Sequence, residues 1–123
     1  GPLDAKLLRG GLVDLEFIVH FLQLHDGVGL TPSLPDALAA LSEAGLLPAA
    51  MVDAHDRLTR LLVAARLLAP DTAIPPPGPR AALALACGYD DWDCLLAGFA
   101  EARTSVAAVW AETFGETLEI DQP

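Results

Sequence analysis

Residues 90–114 read DDWDCLLAGFAEARTSVAAVWAETF, and this stretch is the strongest indication of the fold class. Large apolar side chains recur in it at spacings of three and four residues, which place them on one face of an α-helix. They are Trp92, Leu95, Leu96, Phe99, Val106, Val109, Trp110 and Phe114. Asp90 or Asp91 precedes the run and offers a carboxylate that can cap the first turn. The stretch therefore predicts a long amphipathic helix that packs on other elements.

The rest of the chain has the same periodicity and lacks the strict alternation of a strand. The further predicted helices are Leu12–Leu24, a short helix from Leu34 that follows the capping cluster of residues 31–33 and that Gly45 closes, Pro48–Ala69 and Arg80–Cys87. Apolar residues surround the first of these helices almost completely, so we expect it to be central. Residues 70–79 contain five prolines, which cannot propagate a helix, and are predicted to form a Pro-rich loop. The sequence thus predicts one all-α domain over residues 1–123, an antiparallel helical bundle of about five helices, three of them long.

Composition excludes several classes of function. The chain has 123 residues, is 53% hydrophobic, and carries 17 acidic against 7 basic side chains for a net charge of -10. This charge and the scattered cations argue against a nucleic-acid partner, and the uncharged runs are too short to predict a membrane span. Cys87 and Cys94 lack the flanking ligands of a zinc site, so we expect two reduced, buried thiols in a cytoplasmic protein.

The first predicted helix carries two carboxylates, Asp14 and Glu16, in an otherwise apolar segment. An unpaired buried ion costs several kcal/mol, so each carboxylate needs a partner or solvent. Because they are two residues apart, they point to nearly opposite sides of the helix and cannot hold one metal as a pair. Their simplest roles are to accept hydrogen bonds from the preceding glycine turn or to face solvent.

Two more polar sets surround these carboxylates. Glu16, His20 and Gln23 share one helix face, which suits a polar stripe at a helix or domain interface; without a third protein ligand nearby, no metal site is predicted. Lys6, Arg9 and the Gly10–Gly11 pair precede the helix, where backbone N–H groups and positive charge favour a phosphate. The alternative is that the glycines only make the lead-in to the helix flexible. No phosphate-loop, dinucleotide or nucleophile-elbow motif is present, so no self-contained active site is predicted.

Residues 3–20, LDAKLLRGGLVDLEFIVH, resemble the signature that opens the C-terminal helical domain of the bifunctional glutamine synthetase adenylyltransferase/adenylyl-removing enzymes. The family form is D-x-K, a short gap, and G-G-L-x-D-[IL]-E-F-x-x-Q. Residues 31–47 and the GYDDW of residues 88–92 are similar to later parts of that domain, so the resemblance covers nearly the whole chain. It departs at His20, where the family usually has Gln, and in residues 66–79, which lack a Gln-rich stretch.

The resemblance implies a fragment of a larger multidomain enzyme. In that family an upstream nucleotidyltransferase domain carries the catalytic carboxylates and transfers AMP from Mg-ATP to a tyrosine of glutamine synthetase, under control of the PII signal protein and glutamine. Magnesium and ATP are then expected for the full-length enzyme and no cofactor for this domain alone, which would be inactive. The implied roles fall on five residues as candidates for nucleotide contact or a domain junction: Lys6, Gly10, Gly11, Asp14 and Glu16.

Two other interpretations remain open. The acidic surface and the Pro-rich loop suit a regulatory interaction module that docks PII signal protein or glutamine synthetase. The signature also resembles that of the PII uridylyltransferases, although Phe17 after Glu16 favours the adenylyltransferases.

Overall fold

The computed structural model describes residues 1–121, which form five α-helices and no strand. The helices are α1 (Leu12–Asp26), α2 (Leu34–Glu43), α3 (Ala50–Leu68), α4 (Pro77–Ala86) and α5 (Trp92–Phe114). The prediction of an all-α helical bundle is confirmed. Over the same residues, no helix combines the length and apolar character needed to cross a membrane.

The core is built around the contact between α3 and α5, the most extensive one between two helices. Each helix buries a stripe with alternating spacings of three and four residues, the pattern of packed antiparallel helices. The stripes are Met51, Ala54, Leu58, Leu61 and Ala65 on α3, and Leu95, Phe99, Ala102, Val106 and Val109 on α5. Helices α1, α2 and α4 pack around this pair and complete one hydrophobic core.

The predicted caps explain where two helices begin. Asp91, rather than Asp90, caps α5: its carboxylate accepts a hydrogen bond of 2.8 Å from the Cys94 N–H. Hydrogen bonds from the backbone and the side chain of Cys94 lower the pKa of Asp91, because they favour the charged carboxylate. Ser33 caps α2 through a longer contact of 3.4 Å to the Asp36 N–H.

The predicted extent of the Pro-rich loop is wrong at its end, because α4 begins at Pro77 and not at Arg80. Residues 77–79 form the first turn of the helix, where an N–H has no partner inside the helix, so the missing N–H of proline costs nothing there. Arg80 anchors the turn by donating from Nε to the Pro75 carbonyl at 2.6 Å. The loop therefore ends at Pro76.

Helix α1 is not central, which corrects the expectation drawn from its apolar sequence. Leu15, Ile18 and Val19 are buried on its inner side, whereas Phe17 and Leu24 on the outer side are exposed. The bundle centres on α3 and α5 instead, because those two helices are longer and pack along most of their length.

The two cysteines lie in different environments, and the prediction that both are buried is wrong for Cys94. Cys87 is buried at the end of α4, and burial raises the pKa of its thiol. Cys94 is exposed in the first turn of α5, where the amphipathic helix turns its polar side outward. Its thiol pKa is raised by the hydrogen bond to the Asp91 carboxylate.

Candidate functional site

The residues before α1 form a tight turn that fixes the backbone of Lys6. The Asp4 carboxylate accepts hydrogen bonds from the N–H groups of Lys6 at 3.1 Å and Leu7 at 2.9 Å. The turn is attached to α1 because the Val13 N–H donates to the Lys6 carbonyl at 3.1 Å, and Ala5 below it is buried in the core. The Lys6 side chain is exposed, so a rigid backbone presents a mobile cation.

Gly10 and Gly11 lie where the chain approaches other backbone so closely that no side chain fits. Gly10 has a φ of 77°, and a Cβ placed on it would lie 2.5 Å from the Arg103 carbonyl oxygen of α5. A Cβ on Gly11 would lie 2.6 Å from the Ala5 carbonyl oxygen. The glycines therefore bring the N-terminal segment into direct contact with itself and with α5, instead of providing flexibility.

Asp14 closes this glycine turn. Its Oδ2 accepts a hydrogen bond of 2.8 Å from the Gly10 N–H. This bond to the glycine turn is one of the alternatives that the sequence predicted for Asp14. The Gly11 N–H donates to the Leu8 carbonyl at 2.8 Å, and the Leu12 N–H donates to the Ala5 carbonyl at 2.9 Å. With the Val13 N–H also engaged, the start of α1 lacks the group of free backbone donors that a phosphate site uses. Its arrangement fits a fixed junction better than a phosphate site.

Arg103 of α5 holds the turn from the opposite side, and its role was not predicted. It is only 4% exposed, and its Nε donates to the Arg9 carbonyl at 2.9 Å. Its Nη1 donates to the Asp121 carbonyl at 3.2 Å, and the guanidinium lies 5.4 Å from the centre of the Phe99 ring. Burial lowers the pKa of Arg103, while the Asp121 carboxylate raises it. The sequence signal that could have indicated this role is that Arg103 is the one arginine in the largely apolar helix α5.

Glu16 and the polar stripe lie apart from this junction. His20 Nδ1 lies 3.0 Å from Gln23 Oε1, and the Gln23 amide donates to the Gly29 carbonyl at 2.6 Å and the Thr31 carbonyl at 3.2 Å. Gln23 thus fastens the connection between α1 and α2. Glu16 and His20 are both exposed. A role for them at a domain interface stays a prediction.

The chemistry of these residues does not fit the binding of magnesium or of the ATP phosphates. Within residues 1–121, no group of three or more His, Cys, Asp or Glu side chains is placed to hold a metal ion. The N–H groups of Gly10, Leu12 and Val13 already donate to other groups, and the nearby cations, Lys6 and Arg9, are both exposed. The arrangement can position a rigid surface, carrying one lysine, against something outside it.

Comparison with known proteins now identifies the class. The sequence model of the GlnD PII-uridylyltransferase family matches residues 3–114, and the chain belongs to this family. The match spans the N-terminal turn and all five helices described above.

Curated relatives specify the resemblance further. The chain is 33% identical over 120 residues to the bifunctional glutamine synthetase adenylyltransferase/adenylyl-removing enzyme of Caulobacter vibrioides. This match covers 89% of this chain and 12% of the relative. It is 34% identical over 132 residues to the enzyme of the same name from Xanthomonas campestris pv. campestris, covering 98% of this chain and 14% of the relative. The similarity to the adenylyltransferases is therefore confirmed, and the chain spans about an eighth of their length. No solved structure significantly matches the chain.

Proposed function

We propose that this chain is the helical domain beside a nucleotidyltransferase domain that transfers AMP from Mg-ATP to a tyrosine of glutamine synthetase. The observation that supports this most is the likeness to adenylyltransferases, which extends over 98% of the chain. Such an enzyme modifies a metabolic enzyme at the expense of ATP, which places it in the cytoplasm. The isolated chain is inactive on this proposal.

Magnesium and ATP belong to the neighbouring domain of the same polypeptide on this proposal. Nucleotidyl transfer needs metal-held phosphates and an oriented hydroxyl, and the described residues supply neither a metal cluster nor a group of free backbone donors at the start of α1. This domain forms one side of the active site of the neighbouring domain, and its exposed Lys6 faces a phosphate or an acidic group across the junction. Asp14 is a positioning residue, because it acts through the Gly10 N–H on the turn that carries Lys6.

The test is Asp14→Asn in the intact enzyme. Asparagine keeps an oxygen that accepts from Gly10, so the bundle stays folded, while the negative charge at the junction is lost. We expect slower AMP transfer to glutamine synthetase and an unchanged thermal unfolding curve of the 123-residue chain. Asp36→Asn is the matched control, since Asp36 occupies the first turn of α2 just as Asp14 occupies that of α1. Unchanged transfer in Asp14→Asn, or equal loss in both variants, would refute the role at the junction.

A second candidate acceptor follows from the family description, which names a PII-uridylyltransferase. The intact enzyme should be offered glutamine synthetase with ATP and, separately, PII signal protein with UTP. Labelled AMP on glutamine synthetase supports our proposal, whereas labelled UMP on PII supports the alternative. If the chain alone binds PII and Asp14→Asn leaves transfer unchanged, the domain is a regulatory docking module instead.

A further inference from the structure

One side of α1 exposes apolar residues where an amphipathic helix would be polar. Val13, Phe17 and Leu24, here called the outer face, fall within about 40° of one another around the helix axis, and the exposed His20 lies beside them in the same stripe. Phe17 is 55% exposed and Leu24 is 84% exposed. Single exposed apolar residues are ordinary, but three exposed apolar residues along one stripe of a helix, with one histidine among them, form a patch of the kind that marks an interaction site.

The outer face has a rigid aromatic base. The centre of the Phe17 ring lies 5.5 Å from the ring centres of both Trp110 and Phe114 on α5, and the centres of these two rings lie 4.6 Å apart. The ring centres of Phe21 and Phe114 lie 5.1 Å apart. Phe17 is therefore held from behind while its front remains open, which is the situation of an aromatic anchor residue at a protein interface.

The outer face is continuous with the junction described above. The Val13 N–H donates to the Lys6 carbonyl, so the exposed Leu7 follows at the same end of α1. The outer face thus begins beside the turn that presents the Lys6 side chain and runs along the helix to Leu24, with His20 as the one polar side chain in this stripe.

We propose that the outer face of α1 is the docking surface for the neighbouring domain of the same polypeptide. This inference rests on the proposed function. The docking partner presents an apolar patch free of carboxylates, because Glu16 borders the outer face and like charges would repel.

The other occupant to consider is a second copy of this chain, and charge and size disfavour it. Each copy carries a net charge of -10, which opposes self-association. A stable interface between separate proteins buries roughly 800 Å² on each partner, more than this narrow stripe offers. A tethered domain meets the face at an effective concentration of about millimolar, so a small apolar surface suffices. Since the chain spans 12% to 14% of its relatives, such proteins have ample chain for that domain.

The experiment measures thiol labelling in the 123-residue chain and in the longest polypeptide that its gene encodes. Leu24→Cys places a thiol on the outer face at a side chain so exposed that the fold is unaffected. The native exposed Cys94 serves as the internal reference in each sample. Leu67→Cys on α3 is the matched control, because Leu67 is 86% exposed and lies beside Val63 and Ala86, away from α1.

We expect the maleimide labelling rate of Leu24→Cys, relative to Cys94, to fall by about ten-fold or more in the long polypeptide, with no such change for Leu67→Cys. Equal rates in the two proteins would overturn the proposal, as would equal protection of both positions. Labelling of the short chain that slows with its concentration would assign the face to a second copy instead. Labelling does not depend on catalysis, so a failure here is distinct from a failure of the AMP-transfer assay.

Discussion

Replacing Gly10 by alanine tests whether the glycine turn is a fixed contact with α5. Its φ of 77° lies in the left-handed region, which costs a residue with a Cβ about 1–2 kcal/mol. The new Cβ would also lie 2.5 Å from the Arg103 carbonyl oxygen, a backbone atom of a buried helix that cannot move aside. Overpacking of this kind adds about 1–3 kcal/mol. We therefore expect Gly10→Ala to lower the free energy of unfolding by about 2–5 kcal/mol.

Gly27→Ala is the matched control, because it separates backbone strain from the steric clash. Gly27 has a φ of 67°, but no atom lies within 4 Å of the position its Cβ would take. This variant should lose only about 1–2 kcal/mol. Urea unfolding followed by far-UV circular dichroism measures both variants, and the melting temperature should separate them by roughly 3–5 °C per kcal/mol. If the two losses agree within about 0.5 kcal/mol, the close approach to α5 is wrong.

Three further variants test the cap, the core and the buried arginine. Asp91→Ala removes the acceptor of the Cys94 N–H. The pKa of Asp91 is lowered in the folded state, so its contribution to the free energy of unfolding is complete above the ordinary carboxyl pKa. This contribution is lost as the pH falls through the folded-state pKa. Unfolding curves at neutral and strongly acidic pH should show that deficit shrink, and a constant deficit would contradict the cap. Leu58→Ala, at a fully buried side chain, should cost about 2–5 kcal/mol in urea unfolding, and a loss below about 1 kcal/mol would contradict the core. Arg103→Met leaves the Arg9 carbonyl without its donor and should cost about 1–3 kcal/mol, with faster amide exchange in residues 3–11; unchanged exchange would refute its role as a clamp.

Helix α5 shows what the sequence alone can predict. Its apolar spacing and its capping aspartate are local signals, and the apolar residues that predicted it, from Trp92 to Phe114, all lie in the observed helix Trp92–Phe114. The hydrogen bond from Gly10 to Asp14 is equally local, since the two residues are four apart at a helix start. Such contacts depend on backbone geometry within one or two turns, which residue types largely dictate.

Features that depend on tertiary packing were not predicted. Arg103 pairs with a carbonyl 94 residues away, and no spacing rule connects the two. The exposed side of α1 could not be foreseen because apolar periodicity shows which side chains favour burial and not how many neighbours the bundle provides. The start of α4 was misplaced because the prolines of residues 77–79 break a helix interior but are tolerated in its first turn.

The geometry of α1 and of the turn before it separates two requirements within residues 3–24. Gly10, Gly11 and Asp14 are explained by the fold itself, since they make the turn that packs on α5. Val13 and Leu24 contribute little to the core of this domain, because both are exposed, and polar residues there would leave its packing intact. A side chain at Gly10 or Gly11 should therefore destabilise even the isolated chain, whereas Asp14→Asn keeps the acceptor for the Gly10 N–H and should not. Val13 and Leu24 should matter only in a longer polypeptide, where another surface covers them.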